Sequence, residues 1–363
     1  MDVKNLACTG CGACENACPM GAIKMYAEKD GFLYPKIIEK KCIHCGKCDA
    51  VCQNQCRVER KEIKKCYAAW ASDKIRRESS SGGVFTVLAE SILARKGYIC
   101  GAVFRDGIVV KHAIIEQKED LRRMRTSKYV QSDVGLIYQE IEKLLKDRNK
   151  IVLFTGTPCQ VAGLYMYLGD NPENLYTIDI LCHGVPSQSL FDRYIYEKFP
   201  AQMIKKVNFR DKSNGWTYQL VLRIETGDAE YISNIDEDIY YKAFNNRLSL
   251  RKSCGTCQFA GLGRMGDISL GDFWEIWQYD KKLDDRKGTS LVLLNSIKGQ
   301  KLFNNILINL SKAVEVPLEK AIEGNRVLYQ PIPLHENRQR FFEDLNSCSL
   351  KEAVERNLKK EES

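Results

Sequence analysis

No run of apolar residues in this chain approaches the roughly 18 needed to cross a bilayer as a helix, so no membrane span is expected. The opening Met1-Asp-Val-Lys-Asn-Leu-Ala-Cys8 has no apolar stretch of the kind a secretory leader needs. Basic residues are plentiful, 55 Lys and Arg against 47 Asp and Glu, yet no basic stripe interleaved with aromatics appears. That absence argues against nucleic-acid binding. Short basic runs such as Arg57-Val-Glu-Arg-Lys-Glu-Ile-Lys-Lys65 are mixed with acids, and would suit an acidic partner or a phosphate-bearing ligand. A literal G-x-G-x-x-G occurs at Gly261-Leu-Gly-Arg-Met-Gly266, but it lacks a preceding strand and a following helix. Asp267-Ile-Ser-Leu270 after it reads as extended, so a dinucleotide fingerprint is excluded. What the chain does have is cysteine, 16 of them in 363 residues, with an apolar fraction of 44% that can fill a core.

Eight of the cysteines form two runs of one spacing, Cys8-x2-Cys11-x2-Cys14-x3-Cys18 and Cys42-x2-Cys45-x2-Cys48-x3-Cys52. This is the spacing that holds two [4Fe–4S] clusters in bacterial ferredoxins, where the fourth cysteine of each run ligates the other run's cluster. Cys8, Cys11, Cys14 and Cys52 are therefore assigned to one cluster, and Cys42, Cys45, Cys48 and Cys18 to the other. The runs lie 34 residues apart throughout (8 to 42, 18 to 52), as in a duplicated unit. Zinc ribbons also use C-x2-C pairs but stop at four ligands. Disulfides are not expected, because such clusters are kept in a reducing compartment, and the reading is cytoplasmic. One asymmetry stands out: Pro19 follows Cys18, whereas Gln53 follows Cys52.

Periodicity suggests an α+β protein, with a ferredoxin-like module over residues 1–56, a linker over 57–66 and a larger mixed α/β domain. In region 67–150 the pattern predicts a helix over 83–96, strands near 98–104 and 107–115 parted by Asp106-Gly107, and an amphipathic helix over 135–148. Region 151–345 opens on a buried strand ending at Phe154, followed by a helix, a strand over 175–181 and a helix near 187–199. That order favours a largely parallel sheet. Residues 204–235 read as a strand-rich insertion, clearest at Tyr218-Gln-Leu-Val-Leu-Arg-Ile224. Charged helices are expected around 336–345 and 349–360, the second within a tail over 346–363.

The larger domain carries, in order, Ser79-Ser-Ser-Gly-Gly-Val-Phe85, Ser127-Lys-Tyr-Val130, Phe154-Thr-Gly-Thr-Pro-Cys-Gln160, Cys182-His-Gly-Val-Pro186, Phe209-Arg-Asp-Lys212, Cys254-Gly-Thr-Cys257 and Gly271-Asp-Phe-Trp274. This set resembles the family of coenzyme F420 hydrogenase/dehydrogenase beta subunits over about residues 67–345. The resemblance implies a flavin-binding domain with FAD. Iron–sulfur clusters pass single electrons while deazaflavins and nicotinamides carry hydride pairs, and a flavin joins the two regimes. Ser79, Ser80, Ser81, Gly82 and Gly83 before a helix fit a phosphate cradle, or an ordinary helix cap; the resemblance favours the first. Lys128, Thr155, Gly156 and Thr157 sit in the same family motifs and are further candidates to hold the cofactor. The Gly261–Gly266 loop is then expected beside a metal or flavin site.

Cys159 and Cys182 each follow a predicted strand, and Cys254 and Cys257 form a C-x2-C hook. At the carboxyl ends of strands, where sites form in open sheets, these four are expected to hold a third [4Fe–4S] cluster; a zinc hook or plain buried thiols are the alternatives. His183 is a candidate to tune the flavin or pass a proton. Asp211 and Asp272 also lie in family motifs without a sequence-level sign of catalysis. Cys56, Cys66, Cys100 and Cys348 read as small apolar residues. The expected activity is an iron–sulfur flavin oxidoreductase exchanging electrons with ferredoxin or another redox subunit, and hydride with coenzyme F420 or another organic partner. The alternatives are a ferredoxin-driven reductase of another substrate, for example in polysaccharide biosynthesis, and a non-catalytic electron-transfer subunit of a larger complex.

Overall fold

A computed structural model of the chain describes residues 8–200, 202–216, 220–227 and 229–359. The strands are, in chain order, β1 Ile23–Ala27, β2 Leu33–Ile37, β3 Lys65–Trp70, β4 Tyr98–Arg105, β5 Val109–Ile115, β6 Val152–Gly156, β7 Leu175–Ile180, β8 Lys206–Asp211, β9 Val221–Glu225, β10 Glu230–Asn234, β11 Ile268–Asp272, β12 Ser290–Leu294 and β13 Lys312–Glu315. Eight of them form one sheet in the order β13-β3-β12-β11-β7-β6-β4-β5. Strands from both halves of the large domain share it. The expected helices fall at Val84–Leu93, Ile137–Leu145, Gln188–Lys198, Arg338–Asp344 and Leu350–Leu358.

The sheet is mixed rather than largely parallel. Among the described residues, the only strands that pair in parallel are β4 with β6, β6 with β7, and β7 with β11. The reasons are local. The Asp106-Gly107 turn folds β5 straight back on β4, with Gly107 at φ 82° as a tight turn demands. On the other side, β12, β3 and β13 join by antiparallel ladders.

Side-chain alternation along the central strands supplies both faces of the sheet. Leu153 packs with Leu88 and Ile92 of helix Val84–Leu93 and with Phe303. Its neighbours Val152 and Phe154 pack instead with Tyr138, Ile141, Val161 and Leu164 from helices Ile137–Leu145 and Pro158–Leu168. The result is a helix–sheet–helix sandwich. The insertion forms a separate antiparallel sheet, β10-β9-β8, over an aromatic core with Phe191, Phe209 and Tyr240. Tyr218 and Gln219 of the predicted insertion strand lie outside the described residues.

Asp179 and Arg264, exposed by 0% and 1%, form an ion pair at 2.8 Å inside the sheet. The second Asp179 oxygen accepts Met265 N–H and Gly266 N–H. A Cβ on Gly266 would stand 2.5 Å from Asp179 N, so the glycine of the rejected fingerprint allows a close backbone crossing into β11. Arg264 also bridges to Lys61 of the linker. Among the described residues no helix is long and apolar enough to cross a membrane.

Candidate functional site

The duplicated cysteine run folds as two similar halves. Gly12 at φ 76° starts the helix Ala13–Ala17, and Gly46 at φ 72° starts the helix Lys47–Ala50. Two residues earlier, Gly10 at φ 69° and His44 at φ 53° repeat the correspondence. This left-handed winding turns the first three cysteines of each run toward a common pocket. One pocket is lined by Cys8, Cys11, Cys14 and Cys52. The other, roomier at about 160 Å³, is lined by Cys42, Cys45, Cys48 and Cys18. These are the two sets grouped from the spacing. Gln53, where the first run has proline, is 3% exposed. Its amide donates to Thr9 Oγ1 between Cys8 and Cys11, closing the first pocket with a bond proline cannot make.

The first pocket is built into the large domain. Tyr138 donates from its hydroxyl to Cys11 O and Gln160 O, both at 2.9 Å. A Cβ on Gly163 would stand 2.9 Å from Cys11 Cβ, so helix Pro158–Leu168 runs directly beneath Cys11. Burial pushes the Cys11 thiol up to about 12, with Cys159 and Cys8 adding to the rise as neighbouring negative charges. Cys14 is likewise pushed up by burial, then by Cys11, Cys8 and Cys52.

Cys159, Cys182, Cys254 and Cys257 converge one step further in. Burial raises Cys182 well above the ordinary thiol range, with Cys254, Cys159 and Cys257 contributing. Cys254 is pushed up to about 12 by burial and by Cys159 and Cys257. Cys159 goes to about 11 by burial and Cys257, offset by its contact with Thr157 Oγ1 at 3.1 Å. Every pair of the four is thus within electrostatic reach. Burial and mutual repulsion keep such thiols protonated until a cation takes their protons' place. A [4Fe–4S] cube suits four spread sulfurs; among the described residues no three Cys, His, Asp or Glu close around a single metal ion.

The remaining candidates gather at one sheet edge. β4, β6, β7 and β11 run the same way, as does β3 through two antiparallel steps. Their carboxyl ends carry the loops with Ser79–Gly83, Thr157–Cys159, Cys182–His183 and Asp272–Trp274. Within the Ser79–Gly83 loop most groups are committed: Ser79 Oγ donates to Ile75 O at 2.7 Å, Ser81 Oγ to Thr289 O at 2.9 Å, and Gly82 N–H to Ser290 Oγ at 3.0 Å. A Cβ on Gly82 would meet Ala69 O at 2.4 Å. Ser80 differs, since its Oγ accepts Ser127 N–H at 2.7 Å. Lys128 donates to the Arg125 and Thr126 carbonyls, both at 3.1 Å, and burial pushes its pKa down to about 7. Thr155 gives its carbonyl to buried His112, Gly156 packs on Gln160, and Thr157 caps helix Pro158–Leu168. His183 is reached by solvent, but surrounding atoms lower its pKa, opposed by Asp272 and reinforced by Arg210 and Arg247. Asp211 ties a turn, pairing with Arg223 at 3.1 Å and accepting Ser213 N–H at 2.9 Å.

The chain matches the family described as "Coenzyme F420 hydrogenase/dehydrogenase", through the N-terminal part of its beta subunit over residues 66–137 and the C-terminal part over 149–317. It matches "4Fe-4S dicluster domain" over 7–56. The chain belongs to the family of coenzyme F420 hydrogenase/dehydrogenase beta subunits, with an N-terminal 4Fe-4S dicluster domain. It is similar to the F subunit of the F(420)H(2) dehydrogenase of Methanosarcina mazei, 27% identical over 295 residues, which are 75% of this chain and 78% of that one. Its fold is similar to that of a chain in the F420-reducing [NiFe] hydrogenase complex of Methanosarcina barkeri, with a TM-score of 0.50 and 17% identity over 82% of this chain and 91% of that one. Membership of this family makes the chain an iron–sulfur protein with an oxidoreductase role.

Within the family domain, the structure adds residues that motif reading left unassigned. Trp216 and Trp274 stack with centroids 5.1 Å apart and planes within 8°, and Trp216 Nε1 donates to Ser80 O at 3.2 Å. Arg210 lies over Trp274 at 5.5 Å and pairs with Asp272 through one nitrogen. Among the described residues its Nε and Nη2, and Asp272 Oδ1, have no partner, although Arg210 is only 6% exposed. Lys212 fills a cage of three carbonyls, Arg76 O, Ser81 O and Lys287 O, at 2.8, 2.6 and 3.0 Å. Three of these four residues lie in quoted motifs, Arg210 and Lys212 in Phe209–Lys212 and Trp274 in Gly271–Trp274, so the signal was present in those motifs; Trp216 carried none.

Proposed function

We propose that this chain is an iron–sulfur flavoprotein in which Cys8, Cys11, Cys14 and Cys52, then Cys42, Cys45, Cys48 and Cys18, then Cys159, Cys182, Cys254 and Cys257 hold three [4Fe–4S] clusters, and that FAD binds at the carboxyl edge of the sheet. The observation that carries this is the seating of Cys11 on helix Pro158–Leu168, the helix that carries Cys159, which joins the first pocket to the inner four cysteines. When bound, the clusters supply single electrons and the flavin converts them to hydride pairs.

The chain's own groups provide the seat. The Trp216–Trp274 stack, with Trp216 only 2% exposed, gives this edge a rigid apolar side. The orphaned Arg210 nitrogens supply buried donors for a polar ring edge. Ser80, Ser127 and the start of helix Val84–Leu93 can take phosphate oxygens, with Lys128 supplying charge. His183, its pKa lowered by the atoms around it, can accept or return a proton at its ring nitrogen. Following the relatives' names, the hydride partner is coenzyme F420. At the far end, exposed Cys45 shares its pocket rim with Met20, Ile43 and Lys47, and Lys40 and Lys41 are exposed on the same module, which suits an acidic one-electron carrier such as ferredoxin.

Anaerobically reconstituted protein should hold about 12 iron atoms, counted as three [4Fe–4S] clusters, and flavin in equal amount to chain. The double variant Cys254→Ser, Cys257→Ser should lose about a third of the iron; unchanged iron would remove the inner cluster from the account. Trp274→Ala should release flavin while keeping iron. Reduced deazaflavin, and not NADH, should bleach the visible absorbance. Wild-type protein without flavin would leave only an electron-relay subunit.

A further inference from the structure

Arg251 is 1% exposed, and none of its nitrogens meets a carboxylate among the described residues. Its Nε donates to Cys8 O at 2.9 Å and Nη2 to Leu33 O at 3.0 Å, with Nη2 also 3.8 Å from Cys8 Sγ. Nη1 donates to Gln131 Oε1 at 3.0 Å. The guanidinium lies over the rings of Tyr34 at 4.2 Å and Phe32 at 5.3 Å. On its other side its charge acts on Cys159 and Cys254, lowering both thiols against their burial. Its backbone N–H holds Val185 O at 2.9 Å, beside the Cys182 loop.

An unpaired buried cation is costly and calls for a source of negative charge. Here the cysteine sulfurs of two sets of four stand within its electrostatic reach and become thiolates once iron is bound. We infer that Arg251 is a fixed positive charge shared by the first ferredoxin cluster and the inner cluster, and that it raises the reduction potential of both. The reasoning rests on the three-cluster assignment above. Reduction adds one electron, hence one negative charge, to a cluster; no proton or further reactant takes part. A permanent cation at this distance in a dry interior favours the more negative state, and charge near a cluster is among the factors that set its potential. The Cys18, Cys42, Cys45 and Cys48 site lies in the exposed half, away from Arg251. The arrangement thus makes inward electron transfer downhill from the open cluster to the buried pair. Arginine suits the task because its charge does not titrate and its planar fork reaches three acceptors at once.

The experiment is a redox titration of the full, reconstituted chain followed by electron paramagnetic resonance, with iron measured on every sample. Arg251→Gln should make two of the three clusters about tenfold harder to reduce, a fall of about 59 mV for one electron, and leave the third in place. Arg251→Lys should restore most of the shift. Because loss of the fork can itself disturb folding, Gln131→Glu provides a second route: it sets a carboxylate beside Nη1 and neutralises the charge with the guanidinium still seated. It should move the same two midpoints down. Midpoints unchanged in both the Arg251→Gln and Gln131→Glu variants at full iron, or all three moving together, would overturn the inference. A wild-type chain with iron for only two clusters would instead overturn the inner-cluster assignment. The shift must then appear at the Cys8 cluster alone, or Arg251 has no such role.

Discussion

The two halves of the ferredoxin module share a spacing and a backbone winding but occupy opposite surroundings. Cys11 and Cys14, half-buried and buried, sit against helix Pro158–Leu168 and Tyr138; their counterparts 34 residues on, Cys45 and Cys48, are exposed and half-buried. A Cβ on Gly12 would touch Val134 at 3.5 Å, whereas one on Gly46 would meet nothing within 4 Å. The first half has lost its independence: it shares Arg251 and the Gly163 groove with the large domain. The second half keeps an open rim with lysines around it. One duplicated unit thereby has a docked end and an open end, and the difference comes from partners rather than ligands.

Exchanging one ligand in each half tests this most strongly. Cys14→Ser and Cys48→Ser should each remove one cluster and about 4 iron atoms per chain. Only Cys14→Ser should also lower the thermal midpoint of the whole protein, since it leaves a hydroxyl without a partner in a buried seat, worth about 1–3 kcal/mol. Chemical assay of iron together with calorimetry reads both effects. Equal midpoints in the two variants would dissolve the contrast between the halves.

Much of the ferredoxin module was legible because its ligands are neighbours in the chain: C-x2-C-x2-C-x3-C is a local pattern, and Gly12 and Gly46 carry the turn it needs. Element positions in the large domain were legible for the same reason, through the periodicity around Ile137–Leu145 and Val152–Phe154. Strand direction was not. β3 reaches its place between β12 and β13 only by pairing with residues more than 200 positions away, and no local signal encodes that. Arg251 escaped notice on the same ground: it meets Cys8 across 243 positions, and in isolation it reads as one more basic residue. The serine loop was legible as a loop before a helix. Its Ser81 hydroxyl and Gly82 N–H depend on Thr289 and Ser290, which share a strand end with it only after folding.

Glycine substitutions sharpen the comparison at intermediate size. Gly46→Ala places a side chain at φ 72° in open space, so it carries only the left-handed penalty of about 1–2 kcal/mol, partly offset through the unfolded chain. Gly10→Ala at φ 69° carries the same penalty, and its Cβ would also stand 2.9 Å from Arg251 Nη1 and 3.1 Å from Gln131 Nε2. The guanidinium cannot retreat without leaving Cys8 O or Leu33 O. An extra cost of about 1–3 kcal/mol follows for Gly10→Ala, read as a larger fall in denaturation midpoint. A difference near zero would mean that Arg251 moves freely and that the first half is not clamped.

His44→Gly is the smallest test, because two effects oppose each other. His44 occupies φ 53°, a left-handed conformation that costs an L-residue about 1–2 kcal/mol, somewhat less for histidine. Glycine removes that strain but loses about 0.5–1 kcal/mol more backbone entropy on folding. The two nearly cancel, so stability should change by less than about 1 kcal/mol. The ring is exposed, hence no packing is lost, and iron content should stay whole. Thermal and denaturant midpoints within error of the wild type are the expected result. A large fall would show that the open half depends on a contact made by His44, and the claim that this end stands free of the rest of the molecule would have to be given up.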